Sequence, residues 1–129
     1  MGDPCKSINC LIWKAGKRSI ELLARDYQSL EVDASTFVLD GSKRLNIMCS
    51  DHKENLQIFT LPTAAAGLGA SGKGKRLQVT GQFHLGTKVL QFALHHLEAD
   101  DSDGSGVAHD PKKLAVIYTG LDGSIGTMI

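Results

Sequence analysis

The sequence predicts an all-β chain, on three observations. Its apolar segments are short and rich in β-formers, turn compositions separate them, and no segment sustains a 3.6-residue apolar period for the ten or so residues an ordinary helix needs. Strands are expected at Ile8–Trp13, Ile20–Ala24, Thr36–Leu39, Leu45–Cys49, Leu56–Leu61, Leu77–Gly81, Val89–Leu94, Leu114–Thr119 and Ser124–Ile129. Val89 to Leu97 comes closest to helical spacing, but its β-branched start and its two histidines favour a strand. Between the strands lie Ala15-Gly16-Lys17, Asp40-Gly41-Ser42, Asp51-His52-Lys53-Glu54 and Leu121-Asp122-Gly123, compositions that fold consecutive strands back as hairpins. Two stretches interrupt this rhythm. Residues 63–74 are mostly Ala and Gly, and residues 98–113 are acidic and then Gly/Ser-rich. Neither has apolar surface to bury, so both are expected to be mobile loop insertions.

The chain also repeats itself. Asp3 followed by Ser7-Ile8, Asp51 followed by Asn55-Leu56, and Asp122 followed by Ser124-Ile125 each introduce a strand in the same way. Arg18 to Ala24 parallels Lys75 to Gly81, and Leu45 to Asp51 parallels Leu114 to Thr119 with Asp122 behind it. Four short strands in fixed order, recurring every ~40–50 residues, are the signature of a propeller blade. One such blade cannot bury both faces alone and needs a neighbour on each side. The expected architecture is therefore a partial β-propeller: one complete four-stranded blade, roughly Thr36 to Gly81, flanked by two incomplete ones. The first lacks its opening strands and the last its closing strand. The sequence stops at Ile129 inside an apolar strand, so residues 1–129 are expected to be a fragment of a larger propeller domain. Alone, its outer blades would present apolar faces and open strand edges.

Composition narrows the function classes. Lys and Arg number 14 against 14 Asp and Glu, so no net field draws the chain toward nucleic acid or an anionic membrane, and any such contact must come from a local patch. Hydrophobic residues make up 42% but aromatics only 5%, so the core must rest on Leu, Ile and Val. The cysteines, Cys5, Cys10 and Cys49, are an odd set with no CxxC pair, which suits a reducing compartment. The polar, proline-containing start does not form a signal peptide, and no apolar stretch reaches the ~20 residues of a membrane span.

The motifs that could carry chemistry are incomplete. Gly67 to Gly74 nearly spells a phosphate-binding loop, but Gly74 stands where a hydroxyl residue should follow Lys73. Strand-like residues also follow in place of a helix. Asp101-Ser102-Asp103-Gly104 lacks the third ligand and closing glutamate of a calcium loop. His95 and His96, as neighbours in a strand, point to opposite faces and cannot share an ion. His84, between Phe83 and Leu85, reads as a hydrogen-bonded residue and not a ligand. No nucleophile elbow and no carboxylate pair appears. The sequence thus assigns no catalytic, cofactor-binding or metal-binding residue, and the expected protein is not an enzyme. Basic residues cluster at Lys14-Lys17-Arg18, Lys43-Arg44 and Lys73-Lys75-Arg76, all expected in turns. Lys73, Lys75 and Arg76 are the candidate phosphate contacts. Apart from Trp13, aromatics for base stacking are scarce near these clusters.

The blade residues carry a resemblance. Lys6-Ser7-Ile8, Leu22-Leu23-Ala24-Arg25-Asp26, Leu30-Glu31-Val32, Ser50-Asp51 with Asn55-Leu56, Phe83-His84-Leu85-Gly86 with Val89, and Leu121 to Gly126 together resemble the C-terminal region of the family of the largest subunit of cleavage and polyadenylation specificity factor. The resemblance runs through nearly the whole chain except the two insertions. It implies a nuclear scaffold of three β-propellers and a C-terminal helical part. In that family, partner subunits read much of the polyadenylation signal of pre-mRNA and perform the cutting. The partners implied are the other subunits of that complex and, indirectly or weakly, pre-mRNA, with no membrane and no small-molecule substrate. The family's matched residues are blade-forming positions, so no catalytic role carries over. Two relatives share the architecture: the large subunit of the UV-damaged-DNA-binding protein, a ubiquitin-ligase adaptor, and a propeller subunit of splicing factor 3b. Phe83-His84-Leu85-Gly86 is common ground with the first of these, which makes a DNA-damage ligase adaptor the alternative function.

Overall fold

The computed structural model describes residues 2–3, 7–40, 44–61, 75–97 and 113–129. These form eleven strands and no helix: β1 (Gly2–Asp3), β2 (Ser7–Lys14), β3 (Ser19–Arg25), β4 (Val32–Leu39), β5 (Leu45–Asp51), β6 (Asn55–Thr60), β7 (Lys75–Arg76), β8 (Gln78–His84), β9 (Val89–Leu97), β10 (Lys113–Gly120) and β11 (Ile125–Met128). The chain is all-β, as the patterning predicts. The two insertions expected at 63–74 and 98–113 lie outside the described residues, apart from Lys113, which opens β10.

The strands fall into three sheets in the order β1-β2-β3-β7, β4-β5-β6-β8 and β9-β10-β11. The middle sheet is an antiparallel meander of four strands, running from Val32 to His84 and so wider at both ends than Thr36 to Gly81. Strict alternation along β5 covers both of its faces. Ile47 and Cys49 point to one side, where they join Phe59, Leu77 and the first sheet's Ile8, Cys10 and Ala24 in one buried cluster. Met48 points to the other side and meets Leu56 together with Val89, Phe92 and Val116 of the third sheet. The middle sheet is thus packed between the other two, the stacking that consecutive blades require. The outer surfaces remain open. Leu11 pairs with Leu22 and Trp13 with Ile20 on the far side of the first sheet, and Trp13 is 58% exposed.

Two details depart from a plain series of hairpins. The chain does not pass directly from β6 to β8, because β7 first pairs parallel with β3 of the neighbouring sheet. Leu77, expected as the first residue of a strand, instead lies between β7 and β8. It is 2% exposed, and its N–H donates to the carbonyl of Arg25 at 2.9 Å. Lys75 and Arg76 are accordingly strand residues and not turn residues, as is Lys14, which closes β2 and pairs with Glu21 across the hairpin.

In the third sheet, the Tyr118 ring lies across Gly126, its register partner on β11. A Cβ at Gly126 would fall inside the ring's own atoms, so a side chain there must expel Tyr118 from its place beside the Met48 cluster. Gly126→Val should lower stability by about 1–3 kcal/mol, the usual cost of overpacking. Urea denaturation of the variant measures it, and Tyr118→Ala in the same background should largely relieve the clash.

Candidate functional site

Of the three candidate phosphate contacts, Lys73 lies outside the described residues. The other two are split by the pleat. In the parallel β3–β7 pair, Ala24 stands beside Lys75 and Arg25 beside Arg76, and paired residues share a face. Ala24 is fully buried, so Lys75 stands on the core-facing side, half-buried. Arg76 joins Arg25 on the exposed side, next to a partner about fifty residues away in sequence that periodicity could not reveal.

The backbone between Arg25 and Tyr27 is fixed from inside. Asp26 is 5% exposed, its N–H donates to the carbonyl of Ile8 at 3.0 Å, and its Oδ2 accepts from Ser7 Oγ at 2.6 Å. Ser7 itself takes a φ of 88°, a left-handed conformation that a non-glycine residue holds only where its surroundings impose it. With Asp26 turned inward, the residues on either side turn outward. The Arg25 guanidinium then lies 4.2 Å from the centroid of the Tyr27 ring, and that ring is 52% exposed. An aromatic thus stands beside the basic residues, which the sequence reading did not find. Its signal was there: in Arg25-Asp26-Tyr27, a buried acid between two outward residues places a cation and a ring on one surface. Among the described residues, neither Arg25 nor Arg76 has a carboxylate within ion-pair distance.

A second feature is a polar cleft of about 380 Å³ between the Gln28–Glu31 loop and the β5–β6 turn, lined also by Asp51, Lys53, Asn55 and Gln57. Its wall is built by a turn that explains the sequence repeat. Asp51 Oδ1 accepts from the N–H groups of Lys53 and Asn55, each at 2.9 Å, and Asn55 Nδ2 donates to both carboxylate oxygens. His84 Nδ1 lies 2.9 Å from Asn55 Oδ1. Asp122 holds the β10–β11 turn in the same manner. Its Oδ1 accepts from the N–H and Oγ of Ser124 and from Thr87 Oγ, and these bonds, Ser124 foremost, keep its carboxyl below the usual carboxylate range. Asp51 and Asp122 are thus turn anchors, with their oxygens engaged locally.

Among the described residues, the remaining motifs bring no metal-binding group together. His95 and His96 are successive residues of β9, and no group of three or more His, Cys, Asp or Glu side chains able to hold a metal occurs among the described residues. Gly67–Gly74 and Asp101–Gly104 lie outside the described residues. No described helix is long and apolar enough to cross a membrane.

Comparison with known proteins gives one consistent result. A family model described as "CPSF A subunit region" matches residues 1–129. Cleavage and polyadenylation specificity factor subunit 1 of Arabidopsis thaliana is 33% identical over 126 residues, covering 98% of this chain and 8% of the relative. The protein of the same name in Drosophila melanogaster is 28% identical over 128 residues, 98% of this chain and 8% of the relative. DNA damage-binding protein 1 of Solanum lycopersicum is 32% identical over 130 residues, 99% of this chain and 11% of the relative. The chain therefore spans about a tenth of the length of the relatives it matches.

Proposed function

Because this chain belongs to the family described as the CPSF A subunit region, we propose that it is part of a scaffold subunit of the pre-mRNA 3′-end cleavage and polyadenylation complex. The observation that carries this is the match of the family to all 129 residues, insertions included. On this reading the subunit works in the nucleus and binds other subunits of the complex, reaching pre-mRNA indirectly or weakly. It acts on no small-molecule substrate and performs no chemistry itself. The physical support is that the buried residues serve blade packing and Asp51 and Asp122 serve turns, which leaves surfaces for binding as the working parts. The blade stacking also supports placement within a C-terminal β-propeller, whose further blades would cover the open apolar sides.

A second reading, an adaptor of a DNA-damage ubiquitin ligase, draws on the 32% identity to DNA damage-binding protein 1. One experiment separates them. Depletion of the protein that carries this chain should raise the fraction of uncleaved pre-mRNA 3′ ends, and antibodies to it should bring down polyadenylation-factor subunits. Normal 3′-end cleavage together with slowed removal of UV lesions would replace the first reading with the second.

A further inference from the structure

We propose that Arg76, Leu77 and Gln78 form a clasp that holds the first and middle sheets together at one edge, and that its release opens the seam between them while both sheets stay folded. The proposal goes beyond the scaffold reading and does not depend on it.

Three observations carry it. First, β7 and β8 are the last strands of two different sheets, and Leu77 alone lies between them. Arg76 is paired with Arg25 of the first sheet, and Gln78 with Thr60 of the middle sheet. Two residue steps span at most about 7 Å, so these two edges cannot part further unless one of the pairings breaks. Second, the link is locked from inside. Leu77 is buried in the cluster that joins the two sheets, and its N–H donates to the Arg25 carbonyl. A segment that only carried the chain across would need neither contact. Third, the parallel pairing is short. Only Lys75 and Arg76 lie beside Ala24 and Arg25, so two paired residues and one buried side chain hold this edge.

The opposite edge is held differently, by the approach of β1 to β4. Release of the clasp therefore leaves a hinge at β1 and β4 and parts the sheets beside β7 and β8. The antiparallel ladders of β2 with β3, and of β5, β6 and β8, do not run through the clasp and survive its release. The seam also carries its own reporters. Cys10 of the first sheet and Cys49 of the middle sheet are free thiols buried in the same cluster as Leu77.

The test is alkylation of the full chain by iodoacetamide under native conditions, with the rates at Cys10 and Cys49 read by mass spectrometry. Leu77→Ala should speed both at least tenfold while the far-ultraviolet circular dichroism stays that of a β protein. Four glycines inserted between Leu77 and Gln78 leave the Leu77 side chain its place and add about 13 Å of slack. This insertion should speed both rates at least fivefold, whereas a Leu77 that merely filled the core would be indifferent to it. Val89→Ala trims another fully buried side chain, in the cluster on the other side of the middle sheet, and should change the two rates less than twofold. Equal acceleration by Leu77→Ala and Val89→Ala would mean that the thiols react only through global unfolding, and would overturn the proposal. Unchanged rates in the glycine insertion would do the same. If Leu77→Ala does not fold, the insertion and the milder Leu77→Val decide the matter.

Discussion

Phe59→Ala should lower the stability of the chain by about 3–5 kcal/mol, the usual cost of removing a buried phenylalanine ring. Phe59 is fully buried on β6, paired with Ile47 of β5 on one side and Val79 of β8 on the other. It packs in the cluster that also holds Ile8, Cys10 and Ala24 of the first sheet, so the ring secures the contact between two sheets as well as the middle of one. Its loss leaves a cavity that strands held by backbone hydrogen bonds cannot close. Small domains are stable by only about 5–15 kcal/mol, so the loss is a large share of the total. Phe83→Ala is the control. Phe83 pairs with Leu56 across the same strands but is 63% exposed, and its removal should cost no more than about 0.5 kcal/mol. Urea denaturation followed by tryptophan fluorescence of Trp13 measures both. Equal midpoints for the two variants would show that the sheets are not joined through this cluster. If Phe59→Ala leaves no folded protein to measure, Phe59→Leu, with a smaller loss, keeps the comparison open.

The contrast between these two phenylalanines also marks what the sequence could and could not convey. Alternation in Leu45–Asp51 fixes which side chains share a face, and the turn residues around Asp51 and Asp122 fix where hairpins reverse, so the middle sheet was legible nearly strand for strand. Short apolar runs name strands well because each strand needs only local pairing and two-residue periodicity. The boundaries that were missed have specific causes. Val32–Ser35 carries Asp33 and Ser35, so its alternation looks like loop, yet a register shift at Val32 and Ala34 lets it continue β4. Leu77 reads as a strand start, and only the tertiary path shows that it instead pins β7 against β3. The Arg25–Arg76 pairing was illegible for the same reason. It depends on a parallel pairing within the first sheet, reached across a segment with no periodicity to set its length. Single basic residues were visible from the sequence, but their grouping onto one surface was not.

Raising the pH should unfold the chain partly through one thiol. Cys49 is fully buried on β5, and burial pushes its thiol up to about 12 from an ordinary value of 9.0. The carboxylates of Asp51 and then Asp26 push the same way, while the backbone hydrogen bond of Gln57 opposes them. The unfolded chain therefore releases this proton near pH 9 and the folded chain only near pH 12. Between those values the folded state holds more protons, so stability falls as pH rises. The thiol's contribution is complete below pH 9 and lost by about pH 12, and the interval corresponds to about 4 kcal/mol. Lysines and tyrosines titrate in the same window, so the decisive quantity is the difference between two chains. Cys49→Ala should be less stable at pH 7 because of the cavity it leaves, yet its stability should decline by about 4 kcal/mol less between pH 9 and 12. Urea midpoints at intervals of half a pH unit would reveal it. Parallel curves for the two proteins would mean that water reaches Cys49 in the folded state, and hence that the seam between the first and middle sheets opens.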